Sequence, residues 1–266
     1  TKVTGAHNVG GIAGYFGGKG TITSANNDGA DIMATGARNN TLHEEVEKDG
    51  YGNVVGVREA GFVKEWVRYA NPSEKVYIGN MGGIVGYLYG DDAYVTNSTN
   101  SGNVHSLKID DPQNVSTASK ASNTGGIVGK MLRSYRGNDQ IDSDWNQKIK
   151  NGKATAAVSD SYNSGNVEGY FAVGGVVGQM FNGEVVHSYN LGNIKTTRTA
   201  TKDELNPAVN MGGVVGDTIE DVNKAKAFLY DVYNKGTIGD EEFRYYARHV
   251  GGVGRLNGTL EKSYNS

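Results

Sequence analysis

A short two-part phrase recurs six times along the chain and constrains its fold more than any other feature of the sequence. It is clearest at Gly174-Gly175-Val176-Val177-Gly178, followed by Ser188-Tyr189-Asn190-Leu191-Gly192-Asn193-Ile194. The first half returns at Gly10-Gly11-Ile12-Ala13-Gly14, Gly82-Gly83-Ile84-Val85-Gly86, Gly125-Gly126-Ile127-Val128-Gly129, Gly212-Gly213-Val214-Val215-Gly216 and, shortened, Gly251-Gly252-Val253-Gly254. The second half follows each copy: Ser98 to Val104, Ser161 to Val167, Val232 to Ile238 and the closing Ser263-Tyr264-Asn265-Ser266. In the first copy, Ser24-Ala25-Asn26-Asn27-Asp28-Gly29-Ala30, the phrase carries one extra residue.

The copies begin near residues 10, 82, 125, 174, 212 and 251, at unequal intervals. Constant phrases at variable spacing predict constant coils with variable inserts, as in a solenoid. Short β-branched runs bounded by Gly and Asn read as strands and tight turns, and no long helical pattern separates them. The predicted fold is all-β: a right-handed parallel β-helix over 1–266 with irregular and short helical inserts. Stacked parallel strands lie about 4.8 Å apart, so like residues should meet. Ile12, Ile84, Ile127, Val176, Val214 and Val253 are expected in one apolar column, and Val104, Val167, Ile194 and Ile238 in another. Asn26, Asn100, Asn163, Asn190, Asn234 and Asn265 are expected to form an amide ladder, beside a stack of Tyr162, Tyr189, Tyr233 and Tyr264. The glycines, Gly82, Gly83, Gly125, Gly126, Gly174, Gly175, Gly212 and Gly213 among them, are expected to serve positive-φ corners and close approach between coils.

Composition narrows the function. Forty glycines without a Gly-X-Y period exclude collagen. A net charge of -3 provides no electrostatic footprint for nucleic acid. No 18-residue apolar run is present, so no membrane insertion is expected. With no cysteine there is neither a disulfide nor a thiolate metal site, which fits a bacterial exported protein. The start at Thr1 and the stop within a phrase read as a piece of a longer chain, with flanking domains as neighbours.

The phrases resemble the GLUG repeat, a short glycine-rich bacterial repeat of this two-part form. The resemblance covers the six phrases and not the inserts. It implies a β-helix of the kind found in filamentous-haemagglutinin-like adhesins and in the non-catalytic region of streptococcal-type IgA1 metalloproteases. Because the repeat is structural, it carries over no ligand and no catalytic residue.

The inserts hold the remaining candidates. Leu42-His43-Glu44-Glu45-Val46-Glu47 has the opening of a zincin motif, but Glu47 stands where the second histidine belongs, so an acidic turn is expected. Phe62, Trp66 and Tyr69 share a helix face, read as packing on the solenoid. Gly52-Asn53-Val54-Val55-Gly56 could be a degenerate coil. Asp142-Ser143-Asp144-Trp145-Asn146 opens like a calcium loop, but Gln147 and Lys153 replace the required Gly and Glu. Trp145 is either a contact residue or folded back on a coil. Val222 to Leu229 reads as a short helix. Arg244, Tyr245, Tyr246 and Arg248 join Trp66 and Trp145 as candidate binding-loop residues, since Arg and aromatics dominate interface energetics.

No repeated position carries an acidic pair, and the five histidines share neither a repeat position nor a close spacing. No catalytic residue, cofactor or metal ligand is assigned. The expected function is a non-enzymatic adhesive module, extracellular or on a bacterial surface, whose loops recognise a host protein or glycan. The alternative is an accessory substrate-positioning β-helix of a large secreted metalloprotease.

Overall fold

A computed structural model describes residues 1–5, 8–34, 37–38, 47–48, 54–56, 76–77, 79–106, 123–132, 158–181, 183–196, 209–219, 227–239 and 247–266. Among these residues every element is a strand. All but four of the strands stack in three parallel sheets, so the chain forms a parallel β-helix; Ala37–Arg38 with Val76–Tyr77 and Glu47–Lys48 with Val54–Gly56 form two antiparallel pairs. One sheet joins Lys2–Gly5, Asp31–Ala34, Val104–Ser106, Val167–Gly169 and Ile194–Thr196. A second holds six two-residue strands, from Asn26–Asn27 to Tyr264–Asn265. The largest carries the glycine phrases and the strands that follow them.

The register confirms that phrase lies on phrase. Gly10, Gly82, Gly125, Gly174, Gly212 and Gly251 pair in succession. Ile32, Val104, Val167, Ile194 and Ile238 form the second apolar column. In the first column Ile84, Ile127, Val176 and Val214 are buried, whereas Ile12, on the outermost coil, is 51% exposed. Val253 departs from expectation: it pairs with Val215 and joins the neighbouring column of Val85, Val128 and Val177. The last phrase is one residue short, and the deletion falls before Val253, so register resumes one place later.

The glycines are kept for space and not for handedness of the backbone. A Cβ on Gly126 would drive into the carbonyl oxygen of Gly175 and into Asn163, and on Gly82 it would lie 2.7 Å from Ile127 O. No glycine of the repeated pairs has positive φ. The left-handed corner belongs instead to a column of other residues: Ser24, Asn97, Asp160, His187, Asp231 and Lys262, with φ of 46–54°. Asn, Asp and His tolerate this region best among non-glycine residues. In the next position Ser98, Ser161 and Ser188 donate their hydroxyls to the carbonyls two residues back, at 2.7–2.8 Å. The hydroxyls of Ser161 and Ser188 also accept the backbone N–H of the serine one coil before, at 3.1 and 3.2 Å. The corner is thus closed by side chains, satisfying polar groups that a bend would otherwise orphan.

Two expected elements change. Ala227–Tyr230 is a strand on Gly183–Val186, so the end of the expected helix at 222–229 is extended. Alternation decides this: Ala227 and Leu229 are buried, and Leu229 continues the column from Val185. Val54–Gly56 pairs antiparallel with Glu47–Lys48 and is no coil of the parallel stack. Several insert limits also move inward: Met131, Val158 and Asp217 all lie within coils. The expected helix face of Phe62, Trp66 and Tyr69 lies outside the described residues.

Beside the large continuous cluster that runs from Ile84 to Val232, one apolar column is interrupted by a polar side chain. Val9, Ile32, Met81 and Val104 form one apolar cluster, and Val167, Val173, Ile194, Val209 and Met211 another. Between Met81 and Val173 in the stack sits Thr124, fully buried, with no hydrogen-bond partner for its hydroxyl. Thr124→Val should raise stability by about 1–2 kcal/mol, because the desolvation penalty of an unmade hydrogen bond is removed at constant shape. Gly126→Ala should destabilise by about 3 kcal/mol or more through overpacking. Gly252→Ala, whose Cβ would meet only Asn265 Cβ at 3.5 Å, should stay within about 0.5 kcal/mol of the parent. Urea unfolding of the three variants measures all of this.

Candidate functional site

The second sheet carries the polar spine of the molecule. Asn27, Asn100, Asn163, Asn190, Asn234 and Asn265 stand in one column, and each Nδ2 donates to the Oδ1 of the next at 2.6–2.8 Å. The other Nδ2 proton goes to a carbonyl in the same coil, Ala30, Gly102, Gly165, Gly192 or Gly236. Asn27, and not Asn26, is the first member. Asn26 pairs with Thr99, in the column that becomes tyrosine in later coils. The extra residue of the first phrase lies after Asn27, so Ala30 takes the place that Gly102 holds in the next coil. Both amide donors are used in every interior member, which removes the cost of burying Asn100, Asn163, Asn190 and Asn234 completely.

Beside this spine the rings of Tyr162, Tyr189, Tyr233 and Tyr264 stack nearly parallel, with centroids 4.6–4.9 Å apart and interplanar angles of 2–5°. Their faces are covered by one another, so they offer edges and hydroxyls to a ligand, not stacking platforms. Tyr264 alone, 52% exposed, ends the stack with an open face. The left-handed corner places His187 between two carboxylates: Nδ1 lies 3.5 Å from Asp160 Oδ1, and Nε2 lies 3.8 Å from Asp231 Oδ2. All three side chains are about half exposed, so such pairing is worth little.

A further column runs across the largest sheet as Tyr15, Tyr87, Lys130, Gln179, Asp217 and Arg255. Lys130 Nζ lies 5.1 Å from the Tyr87 ring centroid and 5.3 Å from that of Phe181. Arg255 grips the buried Asp217 through Nε at 2.5 Å and Nη2 at 2.8 Å. A second amide ladder, Asn8, Asn80 and Asn123, is interrupted at Ala172. It resumes where Asn210 Oδ1 lies 2.7 Å from His249 Nδ1.

Among the described residues no group of three His, Cys, Asp or Glu side chains could hold a metal ion. Nor is a described helix long and apolar enough to cross a membrane. His105, His187 and His249 occupy three separate columns. The candidate loop residues Trp66, Trp145, Arg244, Tyr245 and Tyr246 lie outside the described residues, as do the calcium-like segment at 142–147 and His43. Glu47 lies on a strand, not on the helix that a zincin motif requires. Arg248 falls at the register shift where Ala247 pairs with Val209 and His249 with Asn210, so its backbone is the extra residue of a bulge.

The inserts enter the stack at only two angular positions. Segments 35–78, 107–122, 197–208 and 240–246 all follow the strand or bridge of the first sheet and precede the next glycine pair. Segments 133–157 and 220–226 both follow the strand after the glycine phrase and precede Val158 and Ala227, which lie in neighbouring columns of that sheet. Local sequence reading missed this alignment, although it follows once each insert is numbered from its own glycine pair.

Burial, with Tyr89 nearby as a lesser cause, pushes the Tyr15 hydroxyl up to about 12. Burial first and neighbouring tyrosines second also raise Tyr189 and Tyr233. An acid that holds its proton more tightly when folded loses stabilisation as pH rises: below pH 10 both states are protonated, and between 10 and about 12 only the unfolded state ionises. Stability should therefore fall across that window. Tyrosinate absorbance should show a late ionisation near pH 12 whose amplitude Tyr15→Phe lowers. No protein-family model, curated protein or solved structure matches the chain.

Proposed function

We propose that this β-helix is a non-enzymatic adhesive module of a bacterial cell-surface or secreted protein, built from GLUG-type repeats, whose inserts recognise a host protein or glycan. The observation that carries the reading is the alignment of the inserts. Four of them leave one corner of the stack over four coil steps, about 19 Å at the spacing of parallel strands. A rigid column with four of its six variable segments gathered on one edge is a scaffold for lateral display, and binding residues concentrate on loops held by such scaffolds. The spine itself is saturated: the asparagine amides bond one another, and the tyrosine faces cover one another. That leaves the constant surface little free valence for a specific ligand and supports placing recognition in the inserts. A column without cysteine would fold in an extracellular setting without disulfide chemistry.

Replacing segments 107–122 and 197–208 with short Gly-Asn turns tests the assignment. The altered chain should keep its β-sheet circular dichroism and unfold cooperatively. Binding of the intact chain to glycan arrays or host cells should fall at least tenfold. Binding unchanged by the exchange, or polysaccharide turnover by the purified chain, would contradict the reading.

A further inference from the structure

At the first of the two insert positions one crossing is bare. Segment 107–122 leaves the stack after Ser106 and returns at Asn123, and segment 197–208 leaves after Thr196 and returns at Val209. Between these levels the chain passes from Gly169 to Ala172 through Tyr170 and Phe171 alone. Val104 pairs with Val167, and Gly169 with Thr196, so this crossing lies one level from each insert. The strands from which the two inserts leave therefore stand about 10 Å apart, two strand spacings, on either side of a short floor.

That floor is fixed. Tyr170 is buried, and the Phe171 carbonyl accepts the backbone N–H of Asn210 at 2.8 Å. The Phe171 side chain stays partly exposed, and its ring makes no ring or cation contact among the described residues. The second insert position offers a contrast. There Phe181 lies at the bare crossing of the fourth coil, between the levels of segments 133–157 and 220–226, but its ring is engaged: Lys130 Nζ lies 5.3 Å from its centroid. Phe171 is thus the phenylalanine of the two whose ring is left for a ligand.

The flanking segments narrow the ligand by their chemistry. Neither contains an aromatic residue or a histidine, so an aromatic platform at this place has to come from the crossing. Each segment is neutral: Lys108 and Lys120 balance Asp110 and Asp111 in one, and Arg198 and Lys202 balance Asp203 and Glu204 in the other. Both are rich in serine and threonine. Neutral surroundings rich in hydroxyls complement an uncharged polyol and favour neither a carboxylate nor a sulfate. A sugar ring has an apolar C–H face to bury on an aromatic ring and a rim of hydroxyls that need polar partners, the combination such sites provide. A protein partner needs about 800 Å² on each side, far more than a floor of two residues. We infer that the Tyr170–Phe171 crossing is the sugar-binding floor of this insert position: one ring of an uncharged glycan stacks on Phe171. The inference rests on the display reading above and narrows its ligand from host protein or glycan to uncharged glycan.

An array of uncharged oligosaccharides, lactose, mannotriose and chitotriose among them, with sialyllactose and heparin fragments as charged probes, tests this on the 266-residue chain. At least one uncharged probe should bind, with an affinity that added salt leaves unchanged. Phe171→Ala should weaken that binding about tenfold, and Phe171→Tyr should keep it. Circular dichroism melts matching the parent establish that both variants fold. Saturation-transfer NMR on the parent, which needs no variant, should mark the C–H protons on one face of one sugar ring. If Phe171→Ala binds like the parent while exchange of segments 107–122 and 197–208 abolishes binding, the inference falls and the display reading stands. Preference for the charged probes, saturation spread evenly over the sugar, or binding to no uncharged probe would each overturn the inference as well. The segment exchange, read on host cells, then decides the display reading by itself.

Discussion

The constraint on which the structure depends is a backbone-to-backbone approach at the glycine pairs, and the rest of the coil follows from it. At Gly83, Gly126 and Gly175 the chain passes so near the next coil's glycine carbonyl and an asparagine side chain that no Cβ fits. That approach lets the amide ladder sit inside the coil, fully buried, under the glycine pair. The glycine and the asparagine of one phrase are thus two halves of one contact although they lie far apart in sequence. A side chain at the glycine would displace the asparagine. An orphaned asparagine would leave buried donors and acceptors on both sides.

From that contact the other columns fall into register, since a parallel stack that fixes one residue of each coil fixes its neighbours. Apolar residues line the interior on either side of the ladder. The left-handed corner turns the chain between the valine-rich strands and the asparagine strands, closed in most coils by serine hydroxyls. Chain length is then free to vary only where neither ladder nor corner is interrupted. This is why excursions collect at two positions, and why the first coil leaves the stack over 35–78 whereas the third passes the same position with two residues between Gly169 and Ala172.

The repeated phrase makes the coil, the parallel register and most columns legible in the sequence. Its failures have physical causes. Asn26 and Asn27 are chemically alike, and only the side chain's fit under Gly11 and beside Ala30 chooses between them. Val253 moved because a deletion inside a phrase can be absorbed on either side of it. The left-handed corner was invisible because its residues, from Ser24 to Lys262, share a backbone angle and not a side-chain type. Leu229 was misread because a short apolar run with lysines suits helix and strand alike until a neighbouring strand is present. The column from Lys130 to Arg255 was hidden for a similar reason, since each coil contributes a different chemistry to it. The candidate site was legible only as a place: the inserts could be delimited, whereas Trp66, Trp145 and Arg244 to Tyr246 lie outside the described residues.

The account rests on coils one strand spacing apart, with like positions facing. The absence of cysteine makes a clean distance test available. Ser101, Ser164 and Leu191 are exposed and follow Asn100, Asn163 and Asn190, which are paired in consecutive coils. Cysteines at 101 and 164 should then sit within the Cα range of about 4.4–6.8 Å that a disulfide requires, whereas 101 and 191, two coils apart at about 10 Å, should not. Oxidation of the folded monomer should link the first pair nearly completely and leave the second as free thiols. Equal linkage of both pairs, or linkage of 101 to 191 alone, would contradict the stacked register.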